Sequence, residues 1–329
     1  MSVSQYLRKA SLIVYGVDGN ALDLSALRFS FAIRRGDIQT PNSADIRVYN
    51  VAPTTAQSIQ QISPAPEFSR VVVQAGYEGN YAVIFDGEIK QVRRGRESQT
   101  DTYLDIAAAD GDSAYNYSLL AMSLAAGNTS PANQVEQMIK GMASNGITQG
   151  YTPNLSTNAL PRGKAIYGMA KDELRKIAKT TQTSWSIQDG KVNLVPLTAY
   201  MPGEIPVLTS DTGMIGLPEQ TQNGIKIKIL LNPNIKIGQA VKLDNASIQQ
   251  YRYNLARNQQ AQNESTSIYN KTDSDGLYYV MIADHNGDTR GNDWYTDLTC
   301  LAIDASVAPE YVPRFPLGEN YVTSIKRYG

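Results

Sequence analysis

Hydrophobic and polar residues alternate most strictly just after Gly224, where Ile225, Ile227 and Ile229 are separated by Lys226 and Lys228. A period of two marks a strand with one apolar and one wet face. Asn223-Gly224 before it and Asn232-Pro233 after it are turn chemistry. Alternation resumes in Ile235-Lys236-Ile237 and Ala240-Val241-Lys242-Leu243, around Gly238. The whole stretch from Thr212 to Leu243 reads as one module of a β-barrel or sandwich.

The same grammar fills the first third of the chain. Strands are expected over Ser11–Gly16, Leu27–Arg34, Ala44–Tyr49, Arg70–Gly76, Tyr81–Val92 and Thr102–Asp110. Val17-Asp18-Gly19-Asn20 is a hairpin-type turn, and Arg93–Ser98 is expected to be a loop. A short helix over Thr54–Ile62 follows Pro53 and is ended by Pro64 and Pro66. From Gly111 the pattern changes. Val135, Met138, Ile139 and Met142 fall at helical spacing in Asn133–Ser144, and Leu174, Ile177 and Ala178 do so in Ala170–Thr181. Trp185–Val195 is a hairpin with an Asp189-Gly190 turn. Two more strands are expected over Gly276–Asp284 and Asp293–Asp304, around a loop from His285 to Asn292. Ala246–Asp275 is a long polar insertion, and the Pro-containing end from Ala308 to Gly329 reads as an extended arm.

The two β halves resemble one another. Asn42…Ile46-Arg47-Val48…Pro53 answers Asn223…Ile225-Lys226-Ile227…Pro233. Arg70–Gly76 takes the place of Ile237–Lys242. Thr102-x-Leu104-x-x-x-Ala108-x-Asp110 answers Thr296-x-Leu298-x-x-x-Ala302-x-Asp304, after loops of nearly equal length. Four matches in one order argue for two copies of one unit. Two unrelated β units with similar strand patterns are the alternative. The fold class is therefore mainly β with an α+β insertion. The expected domains are 1–110, a first β-barrel; 111–204, a small α+β domain; 205–307, a second barrel carrying the polar insertion 246–275; and 308–329, the C-terminal arm.

Composition narrows the function. Net charge is −1, so there is no global attraction to nucleic acid or anionic membranes. One cysteine, Cys300, excludes an internal disulfide, and one histidine, His285, excludes a multi-histidine metal site. The start of the chain shows no secretory pattern, and no apolar run is long enough to span a bilayer as a helix. The expectation is a soluble protein made in a cytoplasm.

Thr212-Gly213-Met214-Ile215-Gly216-Leu217-Pro218, Gly224-Ile225, Leu230-Leu231-Asn232-Pro233 and Gly238 resemble the second barrel of bacteriophage baseplate hub proteins, the group that includes late control protein D and VgrG-type hubs. Trp185-x-Ile187-x-Asp189-Gly190 and His285-x-Gly287-Asp288-Thr289-Arg290-Gly291-x-x-Trp294 resemble the same group. The resemblance implies two tail-tube-like barrels per chain and a homotrimer that forms a pseudo-hexameric ring in the virion. That ring would join the tail tube protein, or a distal tube adaptor, to a central spike protein, with a tape measure protein as a further partner. The genome would pass through its lumen without specific binding. A tail-associated cell-wall hydrolase and a host-attachment adaptor are the rival readings.

Candidate chemistry is sparse. Asp284, His285, Asp288 and Asp293 invite a metal or general-base reading, but their spacing fits a hairpin turn held by Asp and Asn side chains better. His285 is left as a group able to titrate near neutrality. Arg93, Arg94 and Arg96 form the one basic cluster and read as a solvated hairpin tip or a subunit contact. Asp273-x-Asp275-Gly276 reads as a turn. Trp185 and Trp294 read as core or rim aromatics. Phosphate-binding glycine motifs and a nucleophile elbow are absent. No catalytic, cofactor-binding or metal-ligating residue is assigned, and no cofactor is expected.

Overall fold

A computed structural model describes residues 6–16, 20–62, 70–197, 199–221, 224–244, 248, 276–303 and 315–316. Most of the polar insertion 246–275, most of the arm 308–329, the 17–19 turn, Asn223 and the Asp273–Asp275 turn lie outside these residues.

The chain opens with β1 (Arg8–Tyr15), β2 (Ala21–Asp23), β3 (Phe29–Gly36), β4 (Ser43–Tyr49), α1 (Pro53–Ile62), β5 (Arg70–Tyr77), β6 (Asn80–Arg96) and β7 (Thr102–Ala109). Then come α2 (Asp112–Tyr117), β8 (Leu119–Leu124), α3 (Pro131–Met142), β9 (Thr148–Gln149), β10 (Lys164–Met169), α4 (Ala170–Thr181), β11 (Thr183–Gln188) and β12 (Lys191–Pro196). The remainder holds β13 (Ala199–Tyr200), β14 (Val207–Leu208), β15 (Met214–Thr221), β16 (Gly224–Leu230), β17 (Ala240–Leu243), β18 (Leu277–Asp288), β19 (Trp294–Ala302) and β20 (Phe315–Pro316).

Strand makes up 51% of the structure and helix 17%. One 13-stranded sheet dominates, in the order β15-β16-β19-β18-β3-β4-β7-β6-β5-β1-β2, with β17 on β18 and β14 on β17. Nearly every pairing in it is antiparallel, and among the described residues its hydrogen bonds close no barrel. Two large apolar clusters lie against it, with a smaller one around Ala240 and Tyr279. Leu12, Phe29, Ile33, Ile46, Val73 and Leu104 belong to one; Ile225, Ile227, Ile229, Tyr278 and Leu298 belong to the other. Fully burying each Ile, Leu or Val stabilises the fold by about 1.5–3 kcal/mol, so strict alternation fixes which face turns inward.

The middle of the chain has its own cluster. Met138, Ile139 and Met142 of α3 and Leu174, Ile177 and Ala178 of α4 pack on Trp185, Ile187 and Val192 of the β11–β12 hairpin. Ser130 caps α3, accepting from the Asn133 N–H, and Pro131 sits in its first turn. In α4, Asp172 and Glu173 open the helix and Lys179 lies in its last turn, matching the helix dipole.

The alternation seen in the sequence places most strands, with three instructive differences. Strand β6 runs on through Arg93 to Arg96, and β18 through His285 to Asp288, where loops were expected. The β18 extension buries His285 and Gly287 on one face, and the β6 extension is held by pairing with β7 from Thr102 to Asp105. Ile235 and Ile237 alternate like a strand but are buried from a turn. Strand β15 carries Gly216 and Pro218, residues that argue against a central strand. It is an end strand of the sheet with an irregular register between Ile215 and Glu219, the setting in which such residues are tolerated.

The internal repeat reappears as topology. The order β3-β4-β7-β6-β5 is matched, strand for strand, by β15-β16-β19-β18-β17. The registers agree too. Ile46 lies opposite Ile106 and Val48 opposite Leu104; Ile225 lies opposite Cys300 and Ile227 opposite Leu298. One shift of 179 residues (46 to 225) and one of 194 (104 to 298) carry the first set onto the second. The remaining match needs correction. Arg70 pairs with Glu88 and Lys242 with Leu277, so Lys242, not Ile237, takes the place of Arg70.

Candidate channel-lining face and the buried junction

The two β units are joined edge to edge. From Ile282 to Asp288, β18 pairs antiparallel with β3, from Gly36 back to Ser30. This makes β16, β19, β18, β3, β4, β7 and β6 one continuous surface whose inner face is core. Cross-strand partners share a face, so the other face can be read row by row. One row runs Arg93, Asp105, Arg47, Ser30, Asp288. Another runs Lys228, Asp297, Asp284, Arg34, Ser43. Between them lie Gln91, Ala107, Asp45, Ala32, Asn286 and Tyr295. With Lys226, five basic residues face five acidic ones.

These charges are paired locally. Arg47 donates to both carboxylate oxygens of Asp105, at 2.7 and 3.1 Å, and its guanidinium lies 4.1 Å from the Tyr103 ring centre. Arg93 reaches the same carboxylate at 3.8 Å, and Arg34 lies 3.9 Å from Asp45. Lys228 stands 3.5 Å over the Tyr295 ring. Burial raises the pKa of Asp284; Arg34 opposes this, and Asp297 directly across the strand pair adds to it. The face is polar and close to electroneutral. It offers a polyanion neither the wide basic patch nor the row of stacking aromatics that nucleic-acid grooves use.

His285 is on the opposite side of β18 from Asp284 and Asp288. It is 1% exposed, and its Nδ1 lies 2.8 Å from the Thr296 hydroxyl. Burial pulls its pKa down to about 3, with the positive charges of Arg35 and Lys236 adding to the effect. The imidazole is therefore neutral at physiological pH, which corrects the expectation that it titrates near neutrality. Asp288 accepts from Arg28 at 2.7 Å and from the backbone N–H groups of Arg290 and Gly291 at 2.9 Å. It is a turn carboxylate. Among the described residues no group of three or more His, Cys, Asp or Glu side chains is arranged to hold a metal. Burial pushes the Cys300 thiol up in pKa, out of the range of a nucleophile.

Both tryptophans are core residues, and each indole N–H lacks a partner among the described residues. Trp185 fills the middle cluster. Trp294, on a strand of the second unit, sits instead in the core of the first, edge-on to Phe31 at 5.6 Å.

One polar junction is not visible in the sequence as a pattern. The Gln188–Gly190 turn enters the seam between the two β units. Asp110 accepts from the N–H groups of Asp189 (2.7 Å) and Gly190 (2.9 Å). Arg35, buried, donates to Asp189 at 2.9 Å and to the Ile84 carbonyl at 3.1 Å. Asn42 donates to Gln188 (2.9 Å) and to the Ile187 carbonyl (3.1 Å). Asp37 accepts from Ser184 of β11 and Tyr279 of β18. Desolvation pushes the Asp110 carboxyl up to about 6, against the hydrogen bond from the Gly190 N–H. The junction fixes the middle of the chain against both β units.

Comparison with known proteins accords with this architecture. Residues 40–255 match the family described as baseplate hub gp41. No curated protein matches the chain. Among solved structures it is similar to the 43 kDa tail protein of prophage MuSo2 from Shewanella oneidensis, with TM-score 0.55 and 8% identity over 92% of this chain and 99% of that one. It is similar to a tail protein from Neisseria meningitidis MC58, with TM-score 0.55 and 10% identity over 94% and 100% of the two chains. An E. coli component of the type VI secretion system, described as structurally similar to the T4 bacteriophage tail proteins gp27 and gp5, gives 0.51 and 11% over 92% and 80%. At such identities the likeness is one of fold.

Proposed function

The chain belongs to the baseplate hub gp41 family, and on that premise we propose that it is a structural hub subunit whose two β units occupy two of six equivalent positions around a phage tail axis. Three copies complete the ring. One side of the ring meets the six-fold tail tube or its adaptor, and the other meets a three-fold central spike. The division of labour follows the chain: 1–110 and 205–307 are the two tube-like units, 111–204 is the α+β domain that braces them, and 308–329 is an arm for neighbouring subunits or the spike. The protein resides in the virion.

The observation that carries this reading is the repeat. The same five strands occur twice in one order, with the central pairs in one register. A chain with one such unit has no means of matching six positions with three copies. The charge-paired face supports its assignment as the channel lining. A polyanion sliding past a near-neutral wall meets few fixed cations that could displace its counterions and hold it.

Electron cryomicroscopy of tail particles containing this chain tests the reading. Three copies at the end of the tube, with the Arg47–Asp105 face toward the axis, are expected. Six copies, or a position on the outside of the tail, would overturn it. Cell-wall clearing by the purified chain would favour a hydrolase instead.

A further inference from the structure

We propose that the ring is closed by one specific edge pairing: the outer edge of β6, with the hairpin tip beyond it, lies antiparallel on the outer edge of β15 in a second copy of this chain. The inference rests on the ring reading above and adds the two edges that meet.

It follows from comparing the two units at the same strands. In the second unit, β18 pairs with β17 near its start, from Leu277 to Tyr279. Beyond β17, the same edge is taken up by β3, from Ile282 to Asp288. In the first unit, β6 pairs with β5 from Asn80 to Glu88. Beyond β5, the same edge from Arg93 to Arg96 carries no strand among the described residues. The mirror situation holds at the other end of the sheet. Strand β3 has β4 on one edge and β18 on the other; its counterpart β15 has β16 on one edge and no strand on the other among the described residues. So the described residues contain one example of the junction, β18 on β3, and two edges, without a partner strand among those residues, that match the halves of a second.

The surface chemistry agrees. Ile215 is 41% exposed and Leu217 56% exposed on β15, beside the exposed Glu219. Arg94 and Arg96 are exposed on β6. An end strand with bare apolar side chains pairs with another chain unless it is covered, and a cationic edge on one copy suits an anionic one on the next. The internal junction also fixes the register. Asp288 lies opposite Ser30. Arg96 and His285 are counterparts, since each pairs with the equivalent residue of its unit, Thr102 and Thr296. Ser30 and Glu219 are counterparts by the same rule, through Arg47 and Lys226. Carrying the Asp288–Ser30 pair across by that shift of 189 residues (96 to 285, 30 to 219) places Gln99 of one copy opposite Glu219 of the next.

The test uses the full chain carrying Gln99→Cys and Glu219→Cys. Both positions are exposed, and the native Cys300 is fully buried. Mass is measured by light scattering, and covalent products are resolved on a denaturing, non-reducing gel after oxidation. The proposal expects a trimer in solution and covalent dimers and trimers from the double variant. A mixture of the two single variants should give covalent dimers and no trimers. A solution trimer without interchain links, or links within one chain, overturns this edge assignment and leaves the ring reading intact. A monomer at all concentrations overturns both.

Discussion

Replacing Trp294 by Ala should damage the unit that Trp294 does not belong to. The side chain is on β19 of the second β unit but is 2% exposed within the core of the first, against Phe31. An indole buries roughly 200 Å², and at about 25 cal/mol per Å² its transfer contributes up to ~5 kcal/mol. Its N–H has no partner among the described residues, so none of their hydrogen bonds is lost with it. The Arg8 guanidinium, 5.5 Å from the ring centre, adds about 0.5–1 kcal/mol. With partial collapse of the cavity, the expected loss is about 3–5 kcal/mol. Tyr295→Ala, one residue along and on the opposite face, should cost less than about 1 kcal/mol. Urea unfolding followed by hydrogen exchange measures both. Peptides covering Phe29–Gly36 should lose protection in Trp294→Ala at urea concentrations where Tyr295→Ala retains it. A loss below about 1 kcal/mol with β3 unaffected would refute the placement of Trp294 in the first core.

The buried histidine gives stability a pH dependence. Its folded pKa of about 3 lies below the unfolded value of 6.5, so the unfolded chain binds the extra proton between those values. The contribution is whole above pH 6.5 and fades as pH falls toward 3, by on the order of 4 kcal/mol; His285→Asn should flatten the urea-midpoint profile there, and an unchanged profile would contradict the assignment. Asp110→Ala strips the acceptors from two backbone N–H groups, and about 2–4 kcal/mol of stability should go with them. Fast exchange at Asp189 and Gly190 is the readout, and native protection there would count against the junction. Gly224 has φ +117, and a Cβ on it would stand 2.4 Å from the Cys300 carbonyl oxygen. Gly224→Ala should therefore lower the melting temperature by more than an exposed glycine replacement such as Gly79→Ala, where no atom stands within 4 Å. On the polar face, Asp105→Lys with Asp297→Lys should turn weak heparin retention into salt-sensitive binding; retention equal to the parent's would argue against a charge-balanced lining.

Much of this molecule is legible in its sequence. Ile225, Ile227 and Ile229 can satisfy water and core at once only as a strand with one face buried, so periodicity fixes both the element and its orientation. Helix α4 and the Trp185 hairpin are local objects with local signals, spacing and an Asp-Gly turn, and they lie where those signals put them. The repeat was readable because equivalent strands need the same side chains at equivalent register positions. What periodicity cannot carry is the partner of each edge. Backbone groups pair without regard to side-chain identity, so nothing in β18 or β3 announces that they join, and nothing in β15 or β6 announces an edge with no partner strand among the described residues. The protonation state of His285 has the same root. Histidine at a strand position reads alike from either face of the sheet, and only burial, with the positive charges of Arg35 and Lys236 adding to it, makes its neutral form the stable one. Asp110, Asn42 and Gln188 are ordinary polar residues, far apart along the chain, until folding removes water from among them. The sequence by itself determined the strands, their inward faces and their duplication, because these depend on neighbours within a few residues. Tertiary structure alone decided which edges meet, which charges are desolvated and which face is left polar, because those depend on groups that only the folded chain brings together.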